Sequence, residues 1–229
     1  MILERHTQHR LLNPPALKIC GLRRIDQALA NAALGVEAIG VIGVPASPRF
    51  LEPEARSALF RQLAGSHPSC QGVLVVADPQ DSELPALEAS QGHRVLQLHG
   101  DETPERCARL RSQLGLTVWK ALRIRRPEDL ASASRYAGAV DALLLDAWVA
   151  DQLGGTGHRL PLEWLHDFAP PLPWWLAGGI TPERIPEILA GVQPHGLDVS
   201  SGVEESPGLK NMERVRQLVA AVRVPQAEP

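Results

Sequence analysis

From Leu17 onward, short apolar runs alternate eight times with amphipathic stretches, a rhythm that few architectures accommodate. The apolar runs, at residues 17–20, 38–42, 72–76, 95–98, 117–122, 142–145, 174–177 and 196–199, read as strands. The stretches between them place apolar residues three and four apart, as at Ile25, Ala28, Leu29, Ala32 and Ala33, the mark of a helix with one buried face. Several open on proline: Glu52-Pro53-Glu54, Thr103-Pro104-Glu105, Arg126-Pro127-Glu128-Asp129 and Thr181-Pro182-Glu183. In the first helical turn the missing N–H of proline costs nothing, and Thr103 and Thr181 are natural N-caps. Eight strand–helix units in 229 residues, with no break in composition, predict an α/β protein built as a single closed (β/α)8 TIM barrel. An open doubly wound sheet is the alternative. It would carry its glycine fingerprint after the first strand, and Cys20-Gly21-Leu22-Arg23 is not GxGxxG.

Hydrophobic residues make up 44% of the chain, enough for a sizeable core. A formal net charge of −3 argues against nucleic-acid or membrane-surface partners recruited by charge. The cationic run Arg123-Ile124-Arg125-Arg126 is short enough to be a solvated loop or helix start. Cys20, Cys70 and Cys107 are few, odd in number and free of CxxC spacing, which points to reduced thiols in a cytoplasmic setting. No apolar run approaches membrane-spanning length, and residues 1–15 lack the apolar centre of a signal peptide. Those residues read as a polar, disorder-compatible extension, ahead of a catalytic domain over 16–224 and a tail over 225–229. A monomer is expected, with a homodimer as the alternative.

Two glycine turns fall at successive strand-to-helix junctions: Ala177-Gly178-Gly179-Ile180 and Asp198-Val199-Ser200-Ser201-Gly202-Val203-Glu204. Bare backbone N–H groups at helix N-termini hold phosphate, and in eight-fold barrels that site commonly follows strands seven and eight. A phosphorylated small-molecule substrate is therefore expected. Functional side chains emerge where barrel strands end, which selects Cys20, Arg49, His99 and Asp146 besides the glycine turns. Each has a bland reading: Cys20 as a small buried hydrophobe, Asp146 as a loop cap, Arg49 as a surface cation, His99 as a rim residue. Their joint placement at successive strand ends favours an acid–base set with a second anion clamp.

Taken in order, Lys18-Ile19-Cys20-Gly21, Pro45-Ala46-Ser47-Pro48-Arg49, Gln97-Leu98-His99-Gly100 and Leu144-Leu145-Asp146 resemble motifs of the phosphoribosylanthranilate isomerases. The resemblance continues through Gly154-Gly155-Thr156-Gly157 and the two glycine turns, and spans Leu17 to about Val222. Any one glycine turn is common; KxCG near the start together with DVSSGVE near the end is specific. The resemblance implies an enzyme of tryptophan biosynthesis that converts N-(5-phosphoribosyl)anthranilate to 1-(2-carboxyphenylamino)-1-deoxyribulose 5-phosphate by an Amadori rearrangement, with no metal or other cofactor. Carried over by motif, Asp146 is the general acid, Cys20 the general base, and Arg49 the partner of the anthranilate carboxylate. The N–H groups of Gly178, Gly179, Ser201 and Gly202 hold the phosphate, Gly155 and Gly157 close the rim, and His99 and Asp198 line the pocket. Such roles call for a protonated carboxyl and a thiolate. Lys18, two residues before Cys20 on one strand face, either supplies the cation a thiolate needs or packs inside the barrel.

The chain departs from the family pattern in loops: residues 158–164, Asn211 where Asp is usual, and Val75-Val76-Ala77-Asp78. None removes a proposed catalytic group. A metal-dependent epimerase would want a second His after strand two, where Gly43-Val44-Pro45 stands. An indole-glycerol-phosphate synthase would want a lysine after strand three to partner Lys120. A catalytically dead scaffold barrel would not need a complete acid, base and anion cradle.

Overall fold

The computed structural model describes residues 14–147 and 159–223. Eight parallel strands form a closed barrel: β1 (Ala16–Cys20), β2 (Ala38–Ile42), β3 (Gln71–Val76), β4 (Val95–Leu98), β5 (Thr117–Ile124), β6 (Ala142–Ala147), β7 (Trp174–Leu176) and β8 (Gly196–Val199). Closure is made by β1, which pairs with β2 on one side and β8 on the other. The outer ring includes α1 (Ile25–Ala33), α2 (Pro53–Ser66), α3 (Pro104–Leu114), α4 (Ile185–Gly191) and α5 (Met212–Arg223). The single-barrel expectation holds.

Alternation along each strand divides the apolar residues into two layers. Leu17, Ile19, Leu96, Leu143 and Leu197 join the layer between sheet and helices. Ala38, Val73, Val95, Trp119, Ala142 and Trp175 fill the lumen, with the two indoles stacked at a centroid distance of 4.6 Å. The barrel is thus a packed core, and only its mouth is left for chemistry.

Among the described residues, three of the units expected to hold α-helices show none. Between β3 and β4 the chain makes 3-10 turns at Asp81–Leu87 and Ala89–Gln91, where Pro85 interrupts any longer ladder. Pro127–Tyr136 and Leu162–Leu165 are likewise 3-10. The first of these buries only Ala133, too little apolar face to favour a full helix. Thr103 caps α3 by accepting from the Arg106 N–H at 3.2 Å, whereas Thr181 makes no such side-chain cap. An unanticipated hairpin follows β8: β9 (Glu204–Ser206) runs antiparallel to β10 (Leu209–Lys210). No helix among the described residues is long and apolar enough to cross a membrane.

Candidate active site

The strand ends converge on a cleft at the barrel mouth that is partly open to solvent. Cys20 at the end of β1, Arg49 beyond β2, His99 after β4 and Asp146 in β6 all line it. Gly178 and Gly179 after β7, Asp198 in β8, and Ser201 and Gly202 beyond it line the same cleft. Gly155 and Gly157 lie outside the described residues.

Lys18 projects into the lumen beside the thiol. Its backbone lies opposite Asp198 across the β1–β8 ladder, and its Nζ donates to Asp198 Oδ2 and to Gln97 Oε1, both at 2.9 Å. Gly40 opposite Cys20 leaves the room: a Cβ there would stand 2.6 Å from Cys20 Sγ and 3.0 Å from Lys18 Cε. Burial alone would drive the Lys18 ammonium down, but the charges of Asp198 and then Cys20 outweigh it and the net direction is up. At Cys20 burial pushes the thiol up, Lys18 pulls it down, Asp198 opposes Lys18, and the thiol ends above its ordinary value. The two alternatives posed for Lys18 are not exclusive: it is packed inside the barrel, 0% exposed, on the same face as the sulfur. Desolvation thus works against the thiolate that the base role calls for, and Lys18 is the largest influence in its favour.

A second buried chain leads towards the carboxyl. Gln97 Nε2 lies 3.1 Å from His99 Nδ1, and His99 Nε2 lies 3.4 Å from Asp146 Oδ2. That last contact is too long and poorly aligned for a hydrogen bond, so His99 Nε2 is buried without a partner among the described residues.

Arg49 is gripped by Glu204 at the start of β9. Nε donates to the two carboxylate oxygens at 3.0 and 3.2 Å and Nη2 to Oε2 at 2.7 Å, a two-point geometry that fixes the guanidinium plane. Lys210 on β10, fully buried, donates to Glu204 Oε1 at 2.6 Å and to the Cys20 carbonyl at 2.5 Å. Burial would raise the Glu204 carboxyl, yet the Arg49 hydrogen bond and the Lys210 charge hold it below the usual carboxylate range. Burial drives Lys210 down despite Glu204. This triad ties the end of β1, the loop after β2 and the hairpin into one unit. Glu204 and Lys210 were not anticipated as site residues. Glu204 stood in the DVSSGVE run, but its tie to Arg49, 155 positions away, has no periodic signature.

The two glycine turns are locked together. Gly178 and Gly179 have φ of 92° and 59°, a left-handed backbone open to glycine at no steric cost. A Cβ on Gly202 would lie 1.8 Å from the Ile180 carbonyl oxygen, so no other residue allows the turns to meet. Arg184 donates to the Gly179 carbonyl at 2.8 Å and Arg214 to the Gly202 carbonyl at 2.9 Å. Two arginines thus occupy the carbonyl side of the turns. Lys120 faces the outer layer, bonded to Glu102 and the Gly100 carbonyl at 2.7 Å each, which removes it from the cleft. Among the described residues no group of three His, Cys, Asp or Glu side chains is arranged to hold a metal ion.

A closed parallel barrel with ionisable side chains and glycine turns gathered at one mouth defines a (β/α)8-barrel enzyme acting on a small molecule. The chain belongs to the N-(5'-phosphoribosyl)anthranilate isomerase family, whose model matches residues 17–221, and with it is an isomerase. Its relatives include the N-(5'-phosphoribosyl)anthranilate isomerase of Synechococcus elongatus, 46% identical over 207 residues, which cover 90% of this chain and 95% of that one. The phosphoribosyl anthranilate isomerase of Thermus thermophilus superposes with a TM-score of 0.78 at 35% identity, covering 90% of this chain and 98% of that one. Another isomerase of the family, solved in complex with reduced 1-(o-carboxyphenylamino)-1-deoxyribulose 5-phosphate, gives a TM-score of 0.76 at 26% identity, covering 91% and 98%.

Proposed function

We propose that the cleft carries out an Amadori rearrangement of N-(5'-phosphoribosyl)anthranilate, with Asp146 as general acid and Cys20 as general base. The observation that carries this reading is the meeting of both groups in a single cleft beside the glycine turns. The similar isomerase holding a reduced 1-(o-carboxyphenylamino)-1-deoxyribulose 5-phosphate supplies the matching ligand chemistry: an aryl carboxylate, an amine-bearing carbon chain and a phosphate.

Asp146 delivers its proton to the furanose oxygen as the C1–O bond breaks, while the nitrogen lone pair forms the C1=N bond of a Schiff base. Cys20, as thiolate, takes the C2 proton; the electron pair of that C–H bond forms C1=C2 as the C1=N π pair returns to the cationic nitrogen, giving a neutral enolamine. Ketonisation then places a proton on C1 and releases the one on the C2 hydroxyl. The enzyme resets by giving up the thiol proton and regaining one at the carboxyl. Lys18, 0% exposed, stabilises the thiolate when it forms. Arg49, its plane set by Glu204, presents a planar fork to the anthranilate carboxylate. The N–H groups of Gly178, Gly179, Ser201 and Gly202 hold the phosphate.

Cys20→Ala and Asp146→Asn test the assignment. Each should lower kcat by a factor of about 10³, within the range of general acid–base contributions, while circular dichroism shows an intact barrel. Turnover within about tenfold of wild type, itself a small share of such a contribution, would remove that residue from the mechanism.

A further inference from the structure

The buried chain between Lys18 and Asp146 determines something that none of its members determines alone: where the proton sits on His99. The ammonium of Lys18 can only donate. The Gln97 atom 2.9 Å from Lys18 Nζ is therefore the carbonyl oxygen Oε1, and the amide is locked in one orientation. Its NH2 group then faces His99 Nδ1 at 3.1 Å. An amide NH2 also only donates, so Nδ1 must accept, and the imidazole carries its proton on Nε2. That nitrogen is the one standing 3.4 Å from Asp146 Oδ2 with no other partner among the described residues. Lys18 and Gln97 are 0% and 1% exposed, so water does not compete for the orientation of the amide.

We infer that Lys18 and Gln97 are positioning residues that set the Nε2–H tautomer of His99, so that His99 donates to Asp146 Oδ2. This rests on the reading of Asp146 as the acid. A hydrogen on Nε2, the ring nitrogen nearest Oδ2, leaves the transferable proton on Oδ1 and cannot itself take that proton back. As Asp146 ionises, Oδ2 gains charge and the long contact closes into a charge-assisted hydrogen bond, which favours proton transfer to the sugar. Such contacts are commonly loose in the unliganded site and tighten as the reaction proceeds. With the other tautomer, a bare Nε2 lone pair would face Asp146 and draw its proton away from the substrate.

The tautomer is read directly by two-dimensional 1H–15N spectroscopy of the histidine rings in the wild-type chain, with His99 identified by its loss in His99→Asn. A protonated Nε2 and an unprotonated Nδ1 are expected; the reverse pattern overturns the inference. Gln97→Glu reverses the device, because a carboxylate accepts from Lys18 and also from an Nδ1–H. It should invert the ring pattern and lower kcat by a factor of about 100, at the low end of general-acid contributions, with KM within about threefold. Gln97→Met, which leaves the tautomer unset, should lose less than Gln97→Glu. An inverted ring pattern with wild-type kcat would show that the tautomer does not matter and sink the proposal. Asp146→Asn separates this inference from the reading beneath it. Retained turnover there defeats the acid assignment, while the ring pattern still reports whether Gln97 sets the tautomer.

Discussion

Cys20 is the residue at which sequence, burial and charge meet most sharply. Its position at a strand end can be read from the chain, but its protonation depends on Lys18, Asp198 and Lys210, which are brought together by β1, β8 and the β9–β10 hairpin. Because burial pushes the thiol up and Lys18 is the largest opposing influence, Lys18→Met should push it up further. The pH dependence of kcat/KM reports groups of the free enzyme, so the rise of kcat/KM with pH should move to higher pH in Lys18→Met. The rate of iodoacetamide alkylation of Cys20 should move with it. An unshifted alkylation profile would mean that Lys18 does not tune the sulfur. The same substitution strands Asp198 without its cation, and breaking one side of a buried pair typically costs about 3–5 kcal/mol. A lowered urea midpoint is therefore expected alongside the shift.

Among the elements, the turns after β7 and β8 act as one piece. Gly202→Ala would drive a Cβ into the Ile180 carbonyl at 1.8 Å, and backbone, unlike a flexible side chain, has no easy escape. The turns must part, which should raise KM for the phosphorylated substrate by a factor of about 10–100, or roughly 1.4–2.8 kcal/mol of lost binding. Inorganic phosphate should weaken as a competitive inhibitor to the same degree; unchanged inhibition by phosphate would place the anion elsewhere. These turns were legible in the chain because glycines at strand ends have few other uses. Strands were legible for a similar reason: β2, β4 and β8 match the apolar runs residue for residue. The 3-10 segments were not, since Arg126-Pro127-Glu128-Asp129 starts a helix and a 3-10 turn equally well. Nor were the ties of Lys18 to Asp198 and of Arg49 to Glu204, which join residues 180 and 155 positions apart. Strand alternation shows that Lys18 points inward; only barrel closure shows what it meets there.

For the molecule as a whole, folding and proton binding are coupled at groups far from the cleft. Burial pushes the Cys70 and Cys107 thiols up to about 12 from an ordinary value of 9.0. The folded state then keeps protons that the unfolded chain releases, and stability falls as pH rises above about 9. On the acid side the group expected to act first is His93, which is 1% exposed and packed against Phe60 with ring centroids 5.6 Å apart. Its Nε2 lies 3.1 Å from the Leu87 carbonyl and so carries the donor hydrogen, leaving Nδ1 buried with no partner among the described residues. Protonation would put an unpaired cationic donor into the apolar layer, and burial accordingly pulls His93 down to about 4 from 6.5. Between these values the unfolded chain binds a proton that the folded state refuses, so stability rises with pH across this window and is lost as pH falls through it. A shift of that size corresponds to about 3 kcal/mol. Glu204, held below its ordinary 4.5, adds its own loss only at lower pH, so the two contributions separate on the pH axis. Urea denaturation of wild type between pH 7 and 4 should show this decline. His93→Gln should flatten it, because the amide can still donate to the Leu87 carbonyl but does not titrate. An equally steep decline in His93→Gln would assign the acid sensitivity of this barrel to other groups.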